Sequence, residues 1–453
     1  MTAIEVKNDH IEEVKGLIEA GRENEVAALL EELHTSDIGR LVAALEEDEA
    51  VKVFKFLPPD KASAVLLEVD ERRRKALISS ISSEELIDVV HEMETDDAAD
   101  VISELPVEEA KQVLDGIDRQ EAIAVQKLLV FAEDTAGGKM QAELAAVHET
   151  ATVEEAVEEV RKKAHEIENI SNVFVIDKEG RLTGAVPLDK LILADPKTPI
   201  ITITKRDPIK VSTDMDQEEV AKLFQKYDLI SVPVVDHDGK LVGRITVDDI
   251  VDVLEEEIFE DFYKLAGLNT EARALDSPAR SIRMRVPWLM LNLCTAAVSA
   301  SVVKFFEGTI EQLVLLAVLM PIVAGMGGNA ATQTITVVVR ALALGELTFK
   351  NARWVLMKEV FVGFANGCLT GGLAALVAYL LGVNIMVGLL LFLAMIANMM
   401  IAGLIGSIIP LVLKRFNVDP AISSSIFVTA STDIGGFFTF LGLATIFMKM
   451  GLL

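Results

Sequence analysis

The sequence predicts a multidomain protein: an α-helical superhelical N-terminal domain, a duplicated α/β module, a long connecting helix and an α-helical membrane half of five spans. Three observations predict it. Charged and apolar residues separate along the chain, apolar positions recur every 24 residues near the start, and an 18-residue stretch recurs 59 residues downstream. Of 42 basic and 70 acidic residues, only eight basic and six acidic ones lie beyond position 285. Residues 1–285 therefore hold 34 and 64, a charge of −30, and the remainder carries +2. This division excludes a purely soluble enzyme and an intrinsically disordered chain. It also excludes a nucleic-acid partner, because phosphate binding needs clustered Lys and Arg.

The helical domain comes first. Leu33, Leu57, Ile81 and Leu105 recur every 24 residues, and Leu45, Val69, Met93 and Ile117 fall midway between them. The unit is therefore 12 residues, long enough for a short helix and a turn. Each apolar position precedes a polar turn and an acidic helix start, as in LPPDKAS and ISSEELI. Ser82 and Glu85 have capping-box spacing, and Pro58 and Pro106 suit first-turn positions. Residues 25–130 are expected to stack as a superhelix. In METDDAADV (93–101), Asp96 and Asp100 stand one helical turn apart with Asp97 beside them. No base at helical spacing relieves their repulsion.

The α/β duplication follows. VIDKEGRLTGAVPLDKLI (175–192) aligns with VVDHDGKLVGRITVDDIV (234–251), pairing Asp177, Gly180, Leu182 and Gly184 with Asp236, Gly239, Leu241 and Gly243. Each copy reads as strand, glycine turn, strand and helix, preceded by an amphipathic helix. The pair resembles tandem CBS domains, a regulatory module in which a Gly-x-x-Thr/Ser-x-x-Asp stretch holds a nucleotide ribose. By that resemblance Gly243, Thr246 and Asp249 of the second copy would bind ATP. The first copy has Pro187 and Lys190 at the matching positions. A helix then keeps apolar spacing through Ile250, Val253, Leu254, Ile258, Phe262 and Leu265, with acids on its other face, and leads into the membrane half.

The membrane half holds five apolar stretches near the required length of about 20 residues, at 286–306, 312–339, 355–381, 385–413 and 421–448. With the N-terminal half inside, nine basic residues flank the inner ends and two, Lys304 and Lys449, the outer ends, which places the C-terminus outside. Four or six spans with one re-entrant segment is the alternative, because glycines interrupt span two. There Pro321, Gly325, Gly327 and Gly328 suit a broken or closely packed helix, with Asn329 and Gln333 one turn apart. In span five Asp433 is an ionisable group near mid-depth, Thr429 and Thr432 share its face, and Gly435 and Gly436 allow a close helix. Such a buried acid marks an ion or proton pathway. Carboxylate, hydroxyl and amide oxygens suit Mg²⁺ and suit Cu⁺ or Zn²⁺ poorly. Cys294 and Cys368 form no CxxC or Cys/His cluster, so neither a disulfide framework nor a zinc site is expected. The chain opens on polar residues, with no basic-then-apolar leader pattern, which matches a cytoplasmic N-terminal half.

The order of these parts, with METDDAAD, an Ala-Gly-Gly stretch (136–138), the Gly-Gly-Asn of span two and the Asp of span five, resembles the MgtE family of magnesium channels or transporters. The resemblance implies a Mg²⁺-selective channel or transporter in the cell's inner (plasma) membrane, a homodimer in the bilayer with one pore on the two-fold axis. Asp433, Asn329, Thr429, Thr432 and Gly328 would line that pore. Mg²⁺ would be both substrate and regulator. Cytoplasmic Mg²⁺ would close the pore by bridging Asp96, Asp100, Glu218, Asp228, Asp249, Asp252, Glu257 and Glu260. The expected domains are 1–130 (helical repeats), 131–195 and 196–254 (first and second CBS copies), 255–280 (connecting plug helix and linker) and 281–453 (pore). Two other readings are a proton-coupled transporter of another divalent cation, using Asp433 as a relay, and a membrane-anchored nucleotide sensor. No nucleophile–base constellation or phosphate-cradling loop marks an enzyme.

Overall fold

The computed structural model describes residues 8–453 apart from 165, 166, 168, 271, 275, 422 and 423. Residues 1–7 of the expected helical domain, 165, 166 and 168 of the first CBS copy, 271 and 275 of the linker, and 422 and 423 of span five thus lie outside the described residues. The chain forms two compact units, residues 1–254 and 255–453.

In the first unit, nine successive helices start at Glu23, Thr35, Glu47, Pro59, Glu71, Ser83, Thr95, Val107 and Arg119, a spacing of 12 residues throughout. Alternate helices pack together: Thr35–Ala44 on Pro59–Glu68, that helix on Ser83–His91, and that one on Val107–Gly116. The 24-residue period is therefore two helices, one from each layer. The capping box forms: the Glu85 N–H donates to Ser82 Oγ at 3.2 Å and the Ser82 N–H donates to Glu85 Oε2 at 2.7 Å. The prolines sit one residue earlier than expected. Pro59 opens its helix, while Pro58 and Pro106 occupy the extended cap positions just before helix starts.

The α/β copies repeat one plan. The first has strands β1 (Ala146–His148), β2 (Asn172–Ile176), β3 (Leu182–Pro187) and β4 (Lys205–Arg206); the second has β5 (Val211–Ser212), β6 (Ser231–Val235) and β7 (Leu241–Thr246). In each, a parallel pair (β1–β2, β5–β6) adjoins an antiparallel hairpin (β2–β3, β6–β7). The hairpin turns carry Gly180 and Gly239 at φ of 81° and 79°, a conformation that favours glycine. The turns also meet: the Leu182 N–H donates to Gly239 O and the Leu241 N–H to Gly180 O. One apolar core continues from the helical repeats into the second copy, whereas the first copy has its own. Segment 135–141 stitches repeats to second copy, with backbone bonds from Ala136, Gly137 and Gln141 to Met215, Thr213 and Arg244.

In the second unit, among the described residues, five helices are long and apolar enough to cross a membrane: Pro278–Phe305, Leu315–Ala343, Ala352–Leu380, Ile385–Arg415 and Ile426–Lys449, the last continuing a helix from Ser424. The second span is one continuous helix. Pro321 lies in its second turn, where it removes a backbone bond without ending the helix. Of its glycines Gly327 is packed against a neighbouring helix, whereas Gly325 and Gly328 have nothing within 4 Å of an added Cβ. Gly363, Gly367 and Gly371 of the third span press on the fourth, where an added Cβ would lie within 3.0 Å of Met399, Ile396 and Met395.

Candidate functional site

Two constellations carry chemistry, one in each unit. The first lies where helix Thr95–Ser103 begins. Glu94, Asp96 and Asp97 bring carboxylate oxygens within 4.8 Å of one another. Segment 139–143 and the start of helix Val247–Leu265 close around them. Gln141 donates through Nε2 to Glu94 Oε2 (2.7 Å) and to Asp249 Oδ2 (3.2 Å). The Thr95 hydroxyl donates to Glu143 Oε2 at 2.8 Å. The buried Arg244 guanidinium stands 3.9 Å from Glu94, and Lys139 4.0 Å from Asp100. Glu94 Oε1 and Asp96 Oδ1 are buried without a hydrogen-bond partner among the described residues.

Burial dominates the electrostatics. Desolvation lifts Glu94 to about 8 against the pull of Arg244. It lifts Asp97 to about 7, with Asp249 and Asp100 adding repulsion. Asp96 is pushed well above the usual carboxylate range by desolvation and by Asp97, and Asp249 rises through desolvation although Thr246 hydrogen bonds oppose it. Such acids hold protons near neutral pH unless a cation replaces them. A hard divalent cation with part of its water shell suits this oxygen set.

The nucleotide motif meets the same cluster. Thr246 donates its N–H and hydroxyl to Asp249 Oδ2, at 3.2 and 2.6 Å. Gly243 is covered by Met140 and Gln141: an added Cβ would lie 2.7 Å from the Met140 sulfur.

The second constellation lies in the membrane unit. Asn398 of the fourth span is 1% exposed and donates through Nδ2 to Val323 O of the second span at 2.8 Å. Its amide fills the space left by Gly327 of the second span and Gly436 of the fifth, where added Cβ atoms would lie 2.1 and 2.9 Å from it. Gly327 and Gly436 therefore share a level. Five crossing helices alternate in direction, so the second and fifth spans run oppositely. Asn329 is two residues beyond Gly327 and Asp433 three before Gly436. At about 1.5 Å per residue both lie roughly 3–5 Å to the same side of Asn398. Asp433 is half-buried and has no hydrogen-bond or ion-pair partner among the described residues. Gly325, Asn329, Thr332, Gln333 and Thr336 form an exposed polar stripe on the second span, and Thr429 is exposed on the fifth. Thr432 departs from the shared face expected of it. It is fully buried, its hydroxyl donating to Thr429 O at 2.9 Å.

Three family profiles match the chain in the same order of parts. The MgtE intracellular N domain profile matches residues 33–134, CBS domains match 136–197 and 200–256, and the MgtE divalent cation transporter profile matches 320–443. The chain is 36% identical to the magnesium transporter MgtE of Thermus thermophilus over 74% of each chain. It is 33% identical to that of Enterococcus faecalis over 73% of each. The chain belongs to the MgtE family of magnesium transporters. A solved cytosolic domain of the Mg²⁺ channel MgtE in complex with ATP is 34% identical, with a TM-score of 0.51, and covers 54% of this chain and 99% of that one.

Within this MgtE frame, the acids named from the sequence disperse. Asp96 and Asp249 join the cluster, and Asp100 borders it beside Lys139. Glu218 pairs with Lys222 at 3.0 Å, and Asp228 ends its helix at φ 51°. Asp252 lies exposed on helix Val247–Leu265, Glu257 is half-buried there, and Glu260 pairs with Lys264. Sequence reasoning missed Glu94, Asp97 as a full member, and Glu143. It also missed Glu359 of the third span, which is 6% exposed, accepts from the Thr334 hydroxyl at 3.3 Å and meets Lys358 at 2.7 Å. The apolar stripe of the connecting helix is buried at its start (Ile250, Val253) and half-buried at its end (Leu265), and between them Ile258 and Phe262 are 68% and 67% exposed.

Proposed function

We propose that this family member is a homodimeric Mg²⁺ channel or transporter that admits Mg²⁺ and closes when cytoplasmic Mg²⁺ binds the acidic first unit. The observation that carries the pore is the polar stripe of the second span beside Asp433, which has no partner among the described residues. The Thr332 and Thr336 hydroxyls bond to carbonyls of their own helix, but the Asn329 and Gln333 amides and the Asp433 carboxylate facing lipid would cost several kcal/mol, so these surfaces require a wet path or another copy of the chain. Two copies facing one another across a two-fold axis would bring two Asp433 side chains, with Asn329, Thr429 and Gly328, around one path. A hydrated divalent ion relieves the repulsion between the paired carboxylates. The exposed Ile258 and Phe262 also favour assembly.

The gating reading rests on the buried cluster of Glu94, Asp96, Asp97 and Asp249. Without a cation these acids repel; Mg²⁺ that binds only the compact arrangement shifts the population toward it. Asp100, Glu218, Asp228, Asp252, Glu257 and Glu260 complete the acidic surface by resemblance. ATP is proposed at Gly243, Thr246 and Asp249, and sharing of Asp249 would couple nucleotide to Mg²⁺. By the same reading the spans lie in the inner (plasma) membrane, with the first unit in the cytoplasm and the C-terminus outside. Bilayer recording with cytoplasmic Mg²⁺ varied tests both parts. Discrete divalent-carrying openings that become rarer as Mg²⁺ rises through the millimolar range are expected. Flux that follows the pH gradient instead would sustain the proton-coupled reading.

A further inference from the structure

The second unit contains a cavity of about 750 Å³ that neither constellation uses. It is lined by the end of the connecting helix (Glu260, Lys264), residues 268–270 just after it and the first turns of the first span (Arg280, Arg283, Met284, Pro287, Trp288). Its size falls in the range of small-ligand sites. Three cations and one acid line it, and Asp419 and Asp276 stand against two of those cations, so the charge the wall leaves over is that of Arg283. Lys264 holds Glu260 and Asp419, the latter at 2.6 Å. Arg283 has no ion-pair partner among the described residues, and Arg280 stands 3.7 Å from Asp276.

Its depth is set by helix length. The first span has 28 residues, about 42 Å, against a hydrocarbon core of about 30 Å. About eight residues overhang, and the overhang with the charge is the start, where Arg280, Arg283 and Arg285 lie. The arginines therefore stand at headgroup level, and Trp288 at the interface where indole rings partition. The cavity wall is mixed in the same sense: cations on one side, Met284, Pro287 and Trp288 on the other. Its apolar side continues along the exposed Leu289, Met290 and Leu293 of the same helix. A free anion would use the arginines and leave that wall wet; a phospholipid fills both parts.

We infer that this cavity binds the headgroup phosphate of an anionic phospholipid, held by Arg280 and Arg283, with its acyl chains along the first span. The charges can hold the lipid's phosphodiester and the tryptophan packs against its glycerol region. Basic pockets at the cytoplasmic ends of membrane helices recognise anionic headgroups in this way.

The test uses the full chain in phosphatidylcholine nanodiscs. The chain has two tryptophans, so Trp354→Phe leaves Trp288 as the only reporter. Tail-brominated phosphatidylglycerol is titrated in and its quenching is compared with that by tail-brominated phosphatidylcholine. The expected result is quenching that saturates at a low mole fraction of phosphatidylglycerol, while phosphatidylcholine quenches only in proportion to its abundance. Arg280→Gln with Arg283→Gln should weaken the specific component roughly thirtyfold, and the Lys pair at the same positions should retain most of it. Inorganic phosphate at matched ionic strength should leave the quenching in place. Equal quenching by both lipids, or unchanged selectivity in the Gln pair, overturns the inference. Complete reversal by phosphate assigns the site to a soluble anion and overturns the lipid. Refractoriness to both lipids shows that another segment of protein covers Trp288, which overturns it as well.

Discussion

At the scale of single residues, Asp433 is the candidate for the ion path and Asn398 accounts for Gly327 and Gly436. Asp433 is a half-buried acid without a partner among the described residues, and Asp433→Asn keeps its volume while removing its charge. Mg²⁺ uptake into proteoliposomes should fall at least tenfold while the melting temperature in detergent holds; wild-type uptake would remove Asp433 from the pore. Gly327 and Gly436 are required by the Asn398 amide between them. Gly327→Ala should lower stability by about 1–3 kcal/mol through overpacking. Asn398→Ala in the same chain should restore part of that loss, because it vacates the space the new methyl needs. Additive losses in the double-mutant cycle would refute the contact. Asp433 was legible because a charge inside an apolar run stands out. Asn398 was not, since a lone amide in a long apolar helix has no periodic signature and its partners lie on two other helices. Glu359 was hidden for a different reason: near a basic flank it reads as an interfacial charge, and only the packing of Thr334 against it reveals that it is buried.

At the scale of elements, the helical repeat was the most legible part of the chain. A helix of eight to ten residues plus a short turn closes on 12, so the period, the capping box and the layer pairing all follow from local chemistry. The five spans were equally plain from length and composition. Segment 135–141 was not. Its Ala-Gly-Gly run has no pattern of its own, and its meaning comes from residues about 80 to 100 positions away. An added Cβ at Gly138 would lie 2.3 Å from Ala132 O and one at Gly137 2.6 Å from the Phe131 ring. Gly138→Ala should therefore shift this strap, lower the melting temperature of the full chain, and weaken Mg²⁺ binding several-fold, because Gln141 and Glu143 ride on it. Retention of Mg²⁺ affinity would show that the strap does not shape the acidic cluster. The same strap explains why Glu94 escaped notice: at a helix start it reads as an ordinary solvated acid until Gln141 covers it.

At the scale of the whole molecule, the charge of residues 1–285 is a store of repulsion that folding concentrates at one place. Glu94 at about 8 and Asp97 at about 7, with Asp96 and Asp249 also raised, bind protons more tightly in the folded unit than unfolded. Between the ordinary carboxylate range and pH 8 the native state therefore holds more protons than the unfolded one. Stability from these groups is fully present below about pH 4 and is lost as pH rises through about 7 and 8. Mg²⁺ does at high pH what protons do at low pH, and it must displace them to bind. Resistance of residues 1–254 to protease in the full chain should thus decline from pH 5.5 to 8.5 in EDTA. Millimolar MgCl₂ should restore it, with the largest gain at pH 8.5 and little at pH 5.5. KCl at matched ionic strength should protect far less, since screening does not bridge two carboxylates. Asp96→Asn with Asp97→Asn removes two of the raised acids. That variant should lose most of the pH dependence and need higher Mg²⁺ for the remaining protection. Equal protection by KCl, or a variant that titrates like wild type, would reduce the cluster to a solvated acidic face and leave the gating reading without its physical basis.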